Sequence, residues 1–290
     1  MFVILTSQAG HLAKSLNTYK KFEVILPELN KDGKRYFPDG EIYVRLAAAT
    51  RLKGKRVIVV HSGAPKPNEG LVELELMLQI LRDRKAQPIE VFFTYFPYGM
   101  QDKVFDVGET NAAENLVKKL VAYYGVKKIY IIDAHFAGKS WVKKYPLSFV
   151  SAVPSLKQTA KREFGQDVVF LSPDKGGKRR TGITGMKKKR KNSYEIEMGS
   201  ADPLKELIKN RTVAVVDDLI ETGGTLDRFY DECKKAGVKD IVALVTHGVL
   251  QSGISRIKKK YTKVYLTNTI NRKEANLDIT NLIFQVISTH

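Results

Sequence analysis

Apolar residues in this chain fall into short unbroken runs, separated by longer stretches in which they recur every three or four positions. The runs "FVILTS" (2–7), "RVIVVHS" (56–62), "IEVFFTYF" (89–96), "KKIYIIDA" (127–134), "DVVFLSP" (167–173), "VAVVDDL" (213–219), "DIVALVTH" (240–247) and "KVYLTNT" (263–269) predict strands. Near-continuous apolarity over so few residues marks strands covered on both faces, as in parallel sheets. Between them, "NEGLVELELMLQILRDRKA" (68–86), "NAAENLVKKLVAYYG" (111–125), "PSLKQTAKREFG" (154–165) and "TLDRFYDECKKAG" (225–237) carry the helical spacing. Strands alternating with helices predict an α/β fold.

There are too many strand–helix units for one modest sheet. Residues 138–155, "GKSWVKKYPLSFVSAVPS", show no clear periodicity and hold two prolines, which sets a boundary near residue 146. We therefore expect an N-terminal domain at 1–145 and a C-terminal domain at 146–275. Each should be a mainly parallel sheet flanked by helices, although no sequence repeat is visible. The final segment, 276–290, is apolar enough to pack back on the first domain.

Composition narrows the class. Of 290 residues, 43% are hydrophobic and 28% charged, which excludes a disordered chain. No apolar run reaches membrane-spanning length, and "MFVIL" is too short for a signal-peptide core, so we expect no membrane partner. The lone cysteine, Cys233, excludes an internal disulfide, suits a reducing cytoplasm and is expected to pack in a helix. A net charge of +18 favours phosphorylated partners. Its lysine clusters lack the interleaved aromatics of single-strand binders, so nucleic acid is not the expected partner.

The stretch "VAVVDDLIETGGTL" (213–226) combines two opposed chemistries. Glycines at a strand-to-helix turn let backbone N–H groups meet an anion closely, and Thr222 and Thr225 add hydroxyl donors. Asp217 and Asp218 would repel that anion but accept hydrogen bonds from vicinal hydroxyls. A pentose phosphate satisfies both halves. The plainer alternative is that the acids end a strand and the glycines merely turn the chain.

"VVDDLIETGGTL" resembles the ribose-5-phosphate loop of the phosphoribosyltransferase fold. Six further stretches resemble ribose-phosphate pyrophosphokinases (phosphoribosyl diphosphate synthases) in order: "RYFPDGEIYVRL" (35–46), "PKPNEGLVELELML" (65–78), "FPYGMQDKVF" (96–105), "IIDAHFAG" (131–138), "SPDKGGKRR" (172–180) and "THGVLQSGISRI" (246–257). The resemblance covers most of residues 1–257, and its closest character is with archaeal members. It implies two tandem phosphoribosyltransferase-type domains. It also implies transfer of the β,γ-diphosphoryl group of ATP to O1 of ribose 5-phosphate, with release of AMP, for nucleotide biosynthesis.

Residue by residue, the resemblance places ribose 5-phosphate on Asp217, Asp218, Glu221, Thr222, Gly223, Gly224 and Thr225. Magnesium falls to His135 and Asp174, with Asp133 as an additional acid. The ATP side takes Phe37, Asp39, Gly40, Glu41, Gln101, Asp102 and Lys103. Lys188 and Arg190, in "GMKKKRK", are the expected catalytic cations, with Lys189 as the alternative lysine. Lys188→Ala should then lower turnover by orders of magnitude and leave substrate affinity nearly unchanged. Adenine sites in this family lie across a subunit interface, which implies at least a homodimer. Met100 departs from the pattern, standing where an Arg usually meets the ATP phosphates; Lys103 is the expected compensation. The competing functions are a non-catalytic regulatory paralogue of the synthase and a phosphoribosyltransferase.

Overall fold

The computed structural model describes residues 1–173, 189–190, 196–197 and 203–289; at 189–190, 196–197 and 203–204 it describes the backbone alone. The described chain divides into two compact units. One holds Met1–Val150, Thr269–Asn271 and the segment from Ile279, and the other holds Ser151–Asn268 and Arg272–Asp278.

The first unit contains β1 (Phe2–Leu5), α1 (Ala13–Leu16), β2 (Glu23–Ile25), β3 (Val57–Ser62), α2 (Pro67–Asp83), β4 (Ile89–Tyr95), α3 (Ala112–Ala122), β5 (Lys128–Ile132) and β6 (Leu147–Val150). Its six-stranded sheet is parallel throughout, in the order β2-β1-β3-β4-β5-β6. Val57 to Val60 are wholly buried, which explains why that run carries no polar alternation. On one face α2 buries Leu74, Met77, Leu78 and Leu81 and α3 buries Leu116, Val117 and Leu120, over Val57, Val59, Val91 and Ile129. β2 and β6 were not expected from the sequence. Both are edge strands, and β6 lies inside the segment without periodicity.

The second unit contains α4 (Val153–Phe164), β7 (Val169–Leu171), β8 (Lys189–Arg190), β9 (Ile196–Glu197), α5 (Pro203–Ile208), β10 (Thr212–Ile220), α6 (Gly224–Lys235), β11 (Asp240–Gly248), α7 (Gln251–Lys260) and β12 (Lys263–Leu266). Its main sheet is parallel, ordered β12-β11-β10-β7; β8 and β9 form an antiparallel pair. Alternation along β10 sorts the core. Val213 and Val215 face Leu226, Phe229, Cys233, Ile254 and Ile257 of α6 and α7, while Ala214 and Val216 face Val153, Leu156 and Ala160 of α4. Cys233 is fully buried, and burial pushes its thiol up to about 12, which makes it an inert packing residue.

The final helix, α8 (Thr280–Ser288), belongs to the first unit. Phe284 stacks on Tyr19 with ring centroids 4.1 Å apart. Lys21 Nζ donates to the Ser288 carbonyl at 2.9 Å, and Arg56 donates to the Ile287 carbonyl at 3.2 Å.

Candidate functional site

β10 runs through both acids and stops at Ile220, so Asp217 and Asp218 lie inside the strand and do not cap it. Pairing with β11 continues beyond them, Leu219 with His247 and Ile220 with Gly248. Strand alternation sends Asp217 to the α6–α7 face and Asp218 to the α4 face. They are only 6% and 2% exposed, and the Asp218 N–H donates to Asp217 Oδ1 at 3.1 Å. Two buried carboxylates at the carboxyl edge of a parallel sheet are costly unless they are there to accept hydrogen bonds.

The turn that follows has the backbone features that an anion site needs. Gly223 is the N-cap of α6 and adopts the left-handed conformation at φ 77°, ψ 3°. An L side chain would strain there. The Asp227 N–H closes the first helical bond onto the Gly223 carbonyl at 2.9 Å, and the Gly224 N–H reaches Thr222 Oγ1 at 3.5 Å. Among the described residues, the N–H groups of Thr222, Gly223, Thr225 and Leu226 have no hydrogen-bond acceptor. Unpaired amides at a helix N-terminus form the backbone cradle on which phosphates bind. Tyr261 holds that turn from behind, its hydroxyl donating to the Leu226 carbonyl at 2.7 Å. Burial, with smaller contributions from Cys233 and Asp217, keeps the Tyr261 phenol well above its ordinary range, so it remains a donor.

In the first unit, several expected residues share the carboxyl edge of the six-stranded sheet. Asp133 leaves β5 at φ 37°, a conformation unfavourable for a side chain, and its N–H donates to the Val150 carbonyl at 2.9 Å. This sharp exit presents His135 two residues later at the strand end, half-buried. Beyond β4, Gln101 is exposed and Met100 is 40% exposed. Asp102 differs from them: it is 5% exposed, pairs with Lys139 Nζ at 3.0 Å, and its carbonyl accepts from Trp141 Nε1 at 3.2 Å. Lys103 places Nζ 4.5 Å from the centre of the Phe105 ring. Lys139, a residue the sequence did not single out, is thus a second cation beside this segment.

The "FPDGE" stretch forms a tight hairpin. The Gly40 N–H donates to the Phe37 carbonyl at 3.0 Å and the Phe37 N–H to the Glu41 carbonyl at 2.8 Å, with Tyr36 bridged to Ile42. Pro38 after the first turn residue and Gly40 at its end suit a type I turn. Asp39 Oδ1 accepts the Glu41 N–H at 3.1 Å, and Phe37 is 43% exposed, edge-on to Tyr43. The anchor of this hairpin was missed in the sequence. Glu73 of α2, 2% exposed, accepts from Arg35, from the Ser7 N–H at 3.0 Å and from the Ser7 hydroxyl at 2.5 Å. One turn earlier, Glu69 accepts from Tyr36 at 2.6 Å. A carboxylate on an otherwise apolar helix face was the available signal.

Asp174 and Lys188 lie outside the described residues. Arg190 and the alternative Lys189 lie in β8, described by backbone only. Among the described residues, no group of three or more His, Cys, Asp or Glu is arranged to hold a metal ion. No described helix is long and apolar enough to cross a membrane.

Two parallel α/β units, one carrying a strand–acid–acid–glycine turn with a free-amide cradle, define a phosphoribosyltransferase-type protein. Family models agree: the N-terminal domain of ribose phosphate pyrophosphokinase matches residues 1–125, and the phosphoribosyl transferase domain matches residues 177–280. The ribose-phosphate pyrophosphokinase of Thermococcus kodakarensis is 31% identical over 255 residues, spanning 84% of this chain and 87% of that protein. The corresponding Pyrococcus furiosus protein is 29% identical, over 98% of this chain and 100% of its own. In structure, the phosphoribosylpyrophosphate synthetase of Mycobacterium smegmatis superposes with a TM-score of 0.79 at 23% identity, over 99% of this chain and 98% of that one. The chain belongs to the ribose-phosphate pyrophosphokinase family, whose archaeal members are among these relatives.

Proposed function

We propose that this protein transfers the diphosphoryl group of ATP to O1 of ribose 5-phosphate, forming 5-phosphoribosyl 1-diphosphate and AMP. The unpaired amides of Thr222, Gly223, Thr225 and Leu226 beside the buried acids of β10 support the pentose-phosphate half of this reading. The match of residues 1–125 to the N-terminal domain of ribose phosphate pyrophosphokinase favours this reaction over that of a phosphoribosyltransferase. On it, Thr222 to Thr225 hold the 5-phosphate while Asp217 and Asp218 accept from the ribose hydroxyls, leaving O1 free to attack. Glu221, at the start of the turn, completes the sugar side.

The ATP side takes the hairpin, with Phe37 against the base and Asp39, Gly40 and Glu41 about it, together with Gln101, Asp102 and Lys103. Lys139 joins them through its pair with Asp102. Lys188 and Arg190 supply positive charge to the transferring group, where charge develops only during transfer. His135 is one imidazole at a strand end, and with Asp174 it makes a sparse donor pair that suits an ion retaining water and phosphate oxygens. Those two residues would hold Mg2+, which when bound neutralises charge on the phosphoryl oxygens.

We also propose a homodimer or larger assembly. Its support is the exposed apolar surface of the first unit, including Val72 and Leu76 one helical turn apart on α2, Phe37, and Phe105. A cytoplasmic location is proposed from the substrates, and a single buried cysteine suits it. Incubation with ATP, Mg2+ and ribose 5-phosphate tests the activity. AMP and phosphoribosyl diphosphate in equal amounts are expected; ATP left intact under these conditions would overturn it.

A further inference from the structure

The 221–224 turn rests on an element that the chemistry above does not use. In the second unit, the first turn of α7 passes directly beneath it. A Cβ at Gly253 would stand 1.8 Å from the Glu221 carbonyl oxygen, 2.8 Å from its carbonyl carbon and 3.0 Å from Ile220 Cγ2. Backbone lies on backbone there, and no flexible side chain could move aside. The contact is reciprocal: a Cβ at Gly223 would meet the Gly253 oxygen at 3.1 Å and Ile257 Cγ1 at 3.2 Å. The Val249 and Leu250 N–H groups both donate to the Ile220 carbonyl, at 2.8 and 3.3 Å. Arg272 fastens the connection from below, its Nε donating to the Gly248 carbonyl at 3.1 Å and its second guanidinium nitrogen to the Val249 carbonyl.

We infer that Gly253 is a positioning residue for the phosphate cradle, with Arg272 holding its platform in place. The physical reason is that a backbone cradle has no side chain to re-aim. The Thr222 and Gly223 amides, and the helix start that follows them, keep their aim only while the peptide planes of 221–224 keep their orientation, and the α7 turn touches that backbone directly at Glu221 and Gly223. The inference rests on the proposed 5-phosphate site. It adds that the site's geometry is set thirty residues away in sequence, by a residue that touches no substrate.

Gly253→Ala and Arg272→Gln test this. Hydrogen–deuterium exchange is followed on peptides spanning 217–227, with steady-state kinetics for each substrate and thermal melting. In Gly253→Ala, exchange should rise in 217–227 and in no peptide of Met1–Val150. kcat/KM for ribose 5-phosphate should fall by about a hundredfold, while KM for ATP at saturating ribose 5-phosphate stays within about twofold. Arg272→Gln should show the same split at about a tenth of the size, and it serves if Gly253→Ala does not melt cooperatively. Unchanged exchange in 217–227, or equal rises in both KM values, overturns the positioning role. Exchange that rises as expected in a protein whose wild type makes no AMP would instead keep the positioning role and overturn the proposed reaction.

Discussion

The two units use one architecture, and the edges proposed to bind ligands are built from different material. In the first, the hairpin at 35–43 is held by side chains: Arg35 on Glu73, Tyr36 on Glu69, and farther along the same edge Lys139 on Asp102. In the second, the turn at 221–224 is held directly by main chain, with glycine against glycine and strand-end carbonyls capped by amides, while the side chains of Tyr261 and Arg272 act one layer behind it. Charged anchors tolerate a missing methylene or a change of length and respond to pH and salt. A main-chain turn is indifferent to both but cannot accept one added carbon.

Three variants sharpen this contrast. Gly223→Ala should have the largest effect: the left-handed backbone at φ 77° and the Gly253 oxygen 3.1 Å away both oppose a Cβ. A loss of about a hundredfold in ribose 5-phosphate affinity, read by calorimetry, is expected, with ATP affinity kept. Equal loss for both ligands would erase the distinction.

The second effect is on acid stability of the first unit. His61 is fully buried, bonded to Thr6 through Nδ1 at 2.9 Å, and burial lowers its pKa from 6.5 to about 3. Above pH 6.5 neither state is charged, so no stability is lost. Below it the unfolded chain takes a proton that the folded chain refuses, and stability falls towards the folded value. Wild type should therefore lose about 2 kcal/mol relative to His61→Gln on going from neutral pH to about pH 5, measured by denaturant unfolding. Parallel pH profiles for the two proteins would refute that assignment.

Glu73→Gln should be the mildest. It removes the charge that holds Arg35 but keeps acceptor capacity, so KM for ATP should rise about tenfold with ribose 5-phosphate unaffected. High salt, which screens a buried pair far less than an exposed one, should reproduce little of this rise in wild type.

What the sequence revealed follows the same division. Val57–Val60 and Ile129–Ile132 read as strands because both faces are buried, and burial erases polar alternation. β2 and β6 escaped notice because edge strands of three and four residues, partly exposed, carry too few apolar positions to stand out. α7 was hidden by its lysines: "QSGISRIKKK" buries Ile254 and Ile257 one turn apart, under a charge run. The turn at 221–225 was legible as a motif, and the strand predicted through both acids runs one residue further, to Ile220, so the plainer reading of acids that merely end a strand falls away. Neither Glu73 nor Gly253 announced its part. For Glu73 the signal was faint, a carboxylate on an otherwise apolar helix face, and a close approach between residues thirty-two apart leaves no trace but a glycine.

The C-terminal helix gives the chain an inverted order of assembly. α8 supplies Phe284 to the ring of Tyr19 and carbonyls to Lys21 and Arg56, yet it is synthesised after every residue of the second unit. The first unit therefore cannot close until residues beyond the whole of the second have been made. Apolar surface around Tyr19 and Phe22 stays open until the helix arrives, exposed through most of synthesis.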